Sequence, residues 1–188
     1  TDINLIKKSI KTNTRLVFVE TIGNPKLDIP DISAIHKLTQ KANIPLVVDS
    51  TVTTPYLFDP HKFGGDILLY ATTKYMSGSG TTVGGVIVDM GTFSWKKFGG
   101  KSVSKFSETL GDYAFIAMAR KVRSNLGCNL SPFNAFLTSL GLDTLSLRME
   151  KHCSNAATIA KALSKISAID TVNYPGLTSS PFYKLAKK

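Results

Sequence analysis

Three short apolar runs, separated by stretches of helical periodicity, limit what this chain can fold into. Residues 16–20 (LVFVE), 45–49 (PLVVD) and 66–71 (DILLYA) are hydrophobic almost throughout rather than in alternation. A strand with one face in water alternates, whereas one buried on both faces of a parallel sheet is continuously apolar. Between the first two runs, Ile32, Ile35, His36, Leu38 and Thr39 recur at helical spacing after Pro30 and Asp31, a pair of helix-start signals. Strand, helix, strand, Pro-punctuated loop and strand make the βαβ rhythm of an α/β sheet. A fourth run, residues 84–89 (GGVIVD), follows a loop too short for a crossover helix, so it is predicted to pair back antiparallel.

Beyond that point the pattern turns helical. Residues 91–106 read as an excursion loop, with Phe93, Trp95 and Phe98 set among Gly91, Gly99 and Gly100. Helices are predicted from 113 to 123, ending near Gly127, and from 132 to 140, ending at Gly141. Residues 143–166 have few breakers and read as one long helix leading into a new unit. Residues 172–176 then read as a strand or turn, and 181–188 as the start of a helix.

Composition narrows the class. With 43% hydrophobic and 19% charged residues the chain is a packed globule, which excludes disorder and fibrous repeats. No apolar run approaches the roughly 20 residues that span a bilayer, so no membrane partner is expected. Cys128 and Cys153 are too few for a disulfide framework or a zinc cluster, and a cytoplasmic setting is expected. The net charge is +10, and residues 151–188 carry six Lys against one Asp. No aromatic–basic interleaving accompanies that tail, so it reads as a solvated helix face rather than a nucleic-acid surface.

Several residues stand where chemistry is done. Asp49 ends an apolar strand and precedes Ser50 and Thr51, and open α/β sheets bind ligands outside their strand ends. A loop or helix-capping carboxylate would look the same. Lys74 follows the third run within Ala-Thr-Thr-Lys-Tyr (71–75) and a glycine-rich turn. Partial burial there would lower its pKa and make it a Schiff-base nucleophile, although most single lysines are simply solvated. Thr72, Thr73, Thr81 and Thr82, with Gly78, Gly80, Gly84 and Gly85, offer donors for a phosphate or merely a hairpin turn. Asn24 lies in a turn after the first strand. His36, His61 and His152 lack metal-ligand spacing and read as structural or surface residues. A strand-end Asn, a strand-end Asp and a post-strand Lys together suit an aromatic aldehyde cofactor. Lys would form the imine, Asp would protonate a pyridine nitrogen and Asn would hold a phenolic oxygen.

On these segments the sequence resembles the Cys/Met-metabolism family of pyridoxal-phosphate enzymes. The likeness runs through residues 18–32, 44–51, 71–89, 130–152 and 172–177, with Asn24, Asp49 and Lys74 spaced evenly 25 apart. The resemblance implies an α/β fold, part of the fold-type-I large domain: a mostly parallel sheet flanked by helices, with one antiparallel strand. It assigns residues 1–143 to the C-terminal part of the pyridoxal 5'-phosphate-binding domain, and 144–188 to a linking helix and the start of a C-terminal α+β domain. It implies that Lys74 is the catalytic Schiff-base lysine and that Asn24, Asp49, Thr51, Thr73 and Lys74 bind the cofactor. Within the family the sulfhydrylase branch is favoured. The implied reaction is γ-replacement on O-acetylhomoserine by sulfide or a thiol, giving homocysteine and acetate, in a homo-oligomer (a dimer of dimers). Lyase or cystathionine γ-synthase chemistry, or a non-catalytic interaction module, are the alternatives. Ala71 stands where the family usually has Ser, Tyr70 where His is frequent, Ser79 where the glycine loop often has His, and Ser50 where Asn is usual. The chain reads as a central piece of such an enzyme, inactive or nearly so alone.

Overall fold

The computed structural model describes residues 1–98 and 101–188. Helix α1 (Ile3–Ser9) leads to strand β1 (Val17–Glu20), then α2 (Ile32–Lys41) and β2 (Leu46–Asp49). Two short helical turns, α3 (Thr54–Leu57) and α4 (Pro60–Phe63), precede the hairpin of β3 (Ile67–Ala71) and β4 (Gly85–Asp89). The remainder is helical: α5 (Lys101–Leu110), a 3-10 turn (Gly111–Tyr113), α6 (Ala114–Leu126), α7 (Pro132–Asp143), α8 (Leu145–Leu163) and the short α9 (Tyr183–Ala186).

The four strands form one sheet in the order β1-β2-β3-β4. Pairs β1–β2 and β2–β3 are parallel, and β3–β4 is antiparallel as the short connection requires. Continuous hydrophobicity is explained by cover on both faces. Leu46 and Val48 join Ile32, Ile35, Phe58 and Leu68 on one side, while Val47 and Ile67 join Phe93, Trp95, Val103 and Ala114 on the other. Both-face burial holds best for β2, whose Leu46, Val47 and Val48 are all buried, and less at the margins, where Phe18 of β1 and Ile87 of β4 are half exposed.

Local signals account for the helix ends. The Asp31 carboxylate accepts from the Ala34 amide at the start of α2, and the Ser131 hydroxyl accepts from the Asn134 amide at the start of α7. Gly127 closes α6 in the left-handed region, with φ 74°. Two expectations need correction. The excursion loop gives way to α5 at residue 101, and its residues 99–100 lie outside those described. Its aromatic residues are core: Trp95 stacks on Phe115 with ring centroids 4.8 Å apart, and its indole N–H donates to Asp89. Helix α7 also runs through Gly141 rather than ending there. Glycine is needed at that point because α7 presses against the turn after Lys74, where an added Cβ would collide with the Met76 and Ser77 carbonyls. At residues 172–176, expected as a strand or turn, the chain forms no strand and turns at 175–176.

Candidate active site

Strand register builds the site. Glu20 is paired with Asp49, and Asp49 with Leu69, so the carboxyl ends of three strands finish side by side. The ladder continues past the strands, with the Thr21 amide donating to the Asp49 carbonyl and the Ser50 amide to the Leu69 carbonyl, both at 2.9 Å. Every loop leaving these ends therefore opens on the same crevice, where ligands bind in sheets of this kind.

A cleft of about 630 Å³ occupies that crevice, with Asn24, Asp49, Thr51, Ala71, Lys74 and Tyr75 on its walls. Each wall residue is fixed locally. The Thr51 amide donates to Asp49 Oδ1 at 2.9 Å, and the Thr51 hydroxyl accepts from the Ala71 amide at 2.8 Å, tying the β2 and β3 loops together. The Asn24 amide donates to Glu20 Oε2 at 2.8 Å, which curls the first loop over the strand end. Thr54, wholly buried just beyond the second loop, holds φ 59°. A β-branched residue in that region is strained by about 1–3 kcal/mol, and buried packing keeps it there. Lys74 is exposed rather than partly buried, and among the described residues no carboxylate forms a salt bridge with it.

Four of the five expected cofactor residues, Asn24, Asp49, Thr51 and Lys74, thus share one cleft. Thr73 does not line it: its hydroxyl donates to the Gly84 carbonyl at 3.3 Å and accepts from the Gly84 amide at 3.1 Å. Of the other candidate phosphate donors, Thr72 and Thr82 are buried, Thr82 against Thr138. Ala71 faces the cleft without a hydroxyl to offer.

Sequence reading missed two participants. Glu20 lines the cleft, and so does His152, whose ring lies 5.4 Å from that of Tyr75. His152 had read as structural or surface. It sits on α8, whose contact with the Lys74 turn only the folded structure shows. His36 is structural as expected. It contacts the buried carboxylate of Asp66 at 3.1 Å, and Asp66 also accepts from the Leu46 amide and the Thr92 hydroxyl, both at 2.8 Å. Burial pushes the Asp66 carboxyl up, but the hydrogen bonds from His36, Leu46 and Thr92 outweigh it and hold the pKa below its ordinary 3.8. A second cavity of about 400 Å³, walled largely by apolar side chains such as Ile29, Leu57 and Phe58, holds no comparable set of groups.

An amine, a strand-end carboxylate and a carboxamide around one cleft are the kinds of group a carbonyl cofactor with a basic ring nitrogen needs. Comparison with known proteins agrees. Residues 1–188 match the Cys/Met metabolism PLP-dependent enzyme family, and the chain belongs to it. It is 42% identical to the O-acetyl-L-homoserine sulfhydrylase of Leptospira meyeri over 97% of this chain and 45% of that protein. The solved O-acetylhomoserine sulfhydrylase of Wolinella succinogenes is 44% identical, superposes with a TM-score of 0.89, and is matched over 99% of this chain and 52% of its own. A putative O-acetylhomoserine (thiol)-lyase from Campylobacter jejuni, solved with an N'-pyridoxyl-lysine-5'-monophosphate, is 32% identical with a TM-score of 0.87, over 99% of this chain and 48% of its own. The fold is therefore that of fold-type-I pyridoxal-phosphate enzymes, the family's cofactor is pyridoxal phosphate, and the chain spans about half the length of these relatives.

Proposed function

We propose that this chain carries the cofactor-anchoring part of a pyridoxal-phosphate transferase that exchanges the γ-acetoxy group of O-acetylhomoserine for sulfide or a thiol. The convergence of Asn24, Asp49 and Lys74 on one cleft at the strand ends carries the reading. The donor set fits the cofactor. Asp49 spends Oδ1 on the Thr51 amide, which leaves its second oxygen to face a ring nitrogen. The Asn24 side chain is exposed on the same cleft, free to donate to a phenolic oxygen. Bound pyridoxal phosphate supplies an electron-withdrawing ring beside the substrate's amino group. Asp49 would hold a proton at the ring nitrogen and Asn24 would orient the ring through its phenolic oxygen, while Thr51 keeps the Asp49 loop in register with Ala71. Lys74 would hold the cofactor through its amine at rest and, once the substrate's amino group has displaced it, would move protons at the substrate's α and β carbons. At the γ carbon a C–O bond breaks to release acetate and a C–S bond forms, giving homocysteine from sulfide or its S-substituted form from a thiol. Thr73 reaches the phosphate only by giving up Gly84.

Residues 1–143 belong in this reading to the cofactor-binding domain, and 144–188 to a linking helix and the start of a second domain. The enzyme works in the cytoplasm as a homo-oligomer, a dimer of dimers. Support comes from the exposed apolar side chains of α6 and α7, among them Leu126, Phe133 and Phe136, more than a water-facing surface carries.

Titration with pyridoxal phosphate tests the site. A visible absorbance band is expected that Lys74→Ala lacks, while Lys74→Ala unfolds within about 0.5 kcal/mol of the parent because the side chain is exposed. A chain that develops no band, or whose band survives Lys74→Ala, refutes the reading. Turnover of O-acetylhomoserine with sulfide is expected to be weak or absent in these 188 residues, which span half of the relatives' length.

A further inference from the structure

The turn that presents Lys74 is held from outside the sheet. Within it, the Lys74 amide donates to the Ala71 carbonyl at 3.2 Å, the Ser77 amide to the Thr72 carbonyl at 3.0 Å and the Gly78 amide to the Lys74 carbonyl at 3.0 Å, and the Ser77 hydroxyl reaches the Thr73 and Lys74 carbonyls at 3.3 and 3.5 Å. One guanidinium completes it. Arg148 of α8 donates through Nη1 to the carbonyl of Tyr75, the residue after Lys74, at 2.7 Å. Through Nη2 it donates to the Gly141 carbonyl of α7 at 2.6 Å, and through Nε to the Thr144 hydroxyl at 3.0 Å.

Two glycines make room for this clamp. Gly78, at φ 75°, lies against the guanidinium, and a Cβ there would overlap it. Gly141 lets the backbone of α7 approach the Met76 and Ser77 carbonyls. A planar fork with all three donor directions engaged fixes its acceptors in angle as well as distance, which an ammonium cannot do.

We infer that Arg148 is a positioning residue for Lys74: it bolts the Lys74–Gly78 turn to the α7–α8 junction and so fixes the direction of the amine. The inference rests on the reading of Lys74 as the cofactor-bearing lysine. It also ties the geometry of that lysine to the pose of α8, which contributes His152 to the same cleft.

Two measurements on Arg148→Ala, Arg148→Lys and Thr144→Val decide it. The first is amide hydrogen exchange, read by peptide. Losing charge-assisted hydrogen bonds should speed exchange at residues 74–78 by about tenfold or more in Arg148→Ala, with β2 and β3 unchanged. Thr144→Val, which removes one of the three contacts, should give a smaller effect at the same residues. The second is the site of pyridoxal-phosphate attachment, trapped with borohydride and mapped. Trapping should fall at Lys74 relative to the other lysines in Arg148→Ala and recover in part in Arg148→Lys. Unchanged exchange and unchanged trapping would overturn the inference. So would exchange raised uniformly across the chain in Arg148→Ala with none localised to the turn in Thr144→Val, because Arg148 would then be a general stabiliser. If the parent chain traps no cofactor at Lys74, the functional reading fails by itself, and exchange at 74–78 alone decides whether Arg148 clamps the turn.

Discussion

The strands that end at the cleft and the helices on the far flank solve the burial problem in opposite ways. In β2 and β3 most large apolar side chains find cover: Leu46 and Val48 are fully enclosed with Ile35 of α2, and Asp66, the one deeply buried acid among the described residues, has three hydrogen-bond partners. Along α6 and α7, by contrast, Leu126 is 71% exposed, Phe133 68% and Phe136 57%. The first region is complete in itself and can hold loops in register. The second is apolar on a face these residues do not cover. In the proposed reading, the strand-end loops that anchor the cofactor belong to the first region, and association belongs to the second.

The largest effect should follow from breaking the complete region at its charge. Asp66→Ala strands the Leu46 amide, the Thr92 hydroxyl and His36 together, and removing one partner of a buried network costs about 3–5 kcal/mol. Chemical denaturation should show that loss, with Asp66→Asn losing less because its amide oxygen still accepts. Asp66 also gives the region a pH signature. Its folded pKa lies below the ordinary 3.8, so the stability it contributes is fully present above that value and is lost as pH falls through the folded pKa. The parent should show this acid limb in a stability-against-pH series, and Asp66→Asn should lack it. Next in size is Leu46→Ala. It opens a void between α2 and the sheet and should cost about 2–5 kcal/mol by the same measurement.

A smaller change belongs to the cleft at the strand ends. Ala71 faces the site with no side-chain hydrogen bond to give, and one more bond to a charged phosphate is worth about 1.5–3 kcal/mol. Ala71→Ser should therefore tighten pyridoxal-phosphate binding by about tenfold or more in equilibrium titration, with little change in unfolding. Equal or weaker binding would mean that the phosphate lies elsewhere in the cleft.

How much of this was legible in the sequence divides along the same line. The strands of the complete region were readable because burial on both faces leaves a continuous apolar run, and the hairpin because its loop is too short for a crossover. Asn24, Asp49 and Lys74 were readable because strand ends converge whatever the helices do. Contacts between distant segments were not. Gly141 looked like a helix stop, yet it marks a backbone contact with Met76 and Ser77. Arg148 gave no signal because its acceptors are the Tyr75 and Gly141 carbonyls, groups that every residue carries. The burial expected at Lys74 failed for a related reason: the residues described leave its side chain open to solvent.

The smallest effect on stability should come from the uncovered face, and it separates the two regions most cleanly. Phe136 lies on α7 with more than half of its surface in water, so Phe136→Ser removes little burial. Unfolding should move by no more than about 0.5 kcal/mol. Association should respond instead, because the energy of an exposed aromatic is realised only when another surface covers it. Light scattering across a concentration series should show the parent gaining mass and Phe136→Ser gaining less, with pyridoxal-phosphate binding unchanged. A destabilisation of several kcal/mol would place Phe136 in the folding core after all. Unchanged association would mean that this face is not where copies meet, and the division between a self-sufficient cleft and an uncovered flank would have to be redrawn around α6.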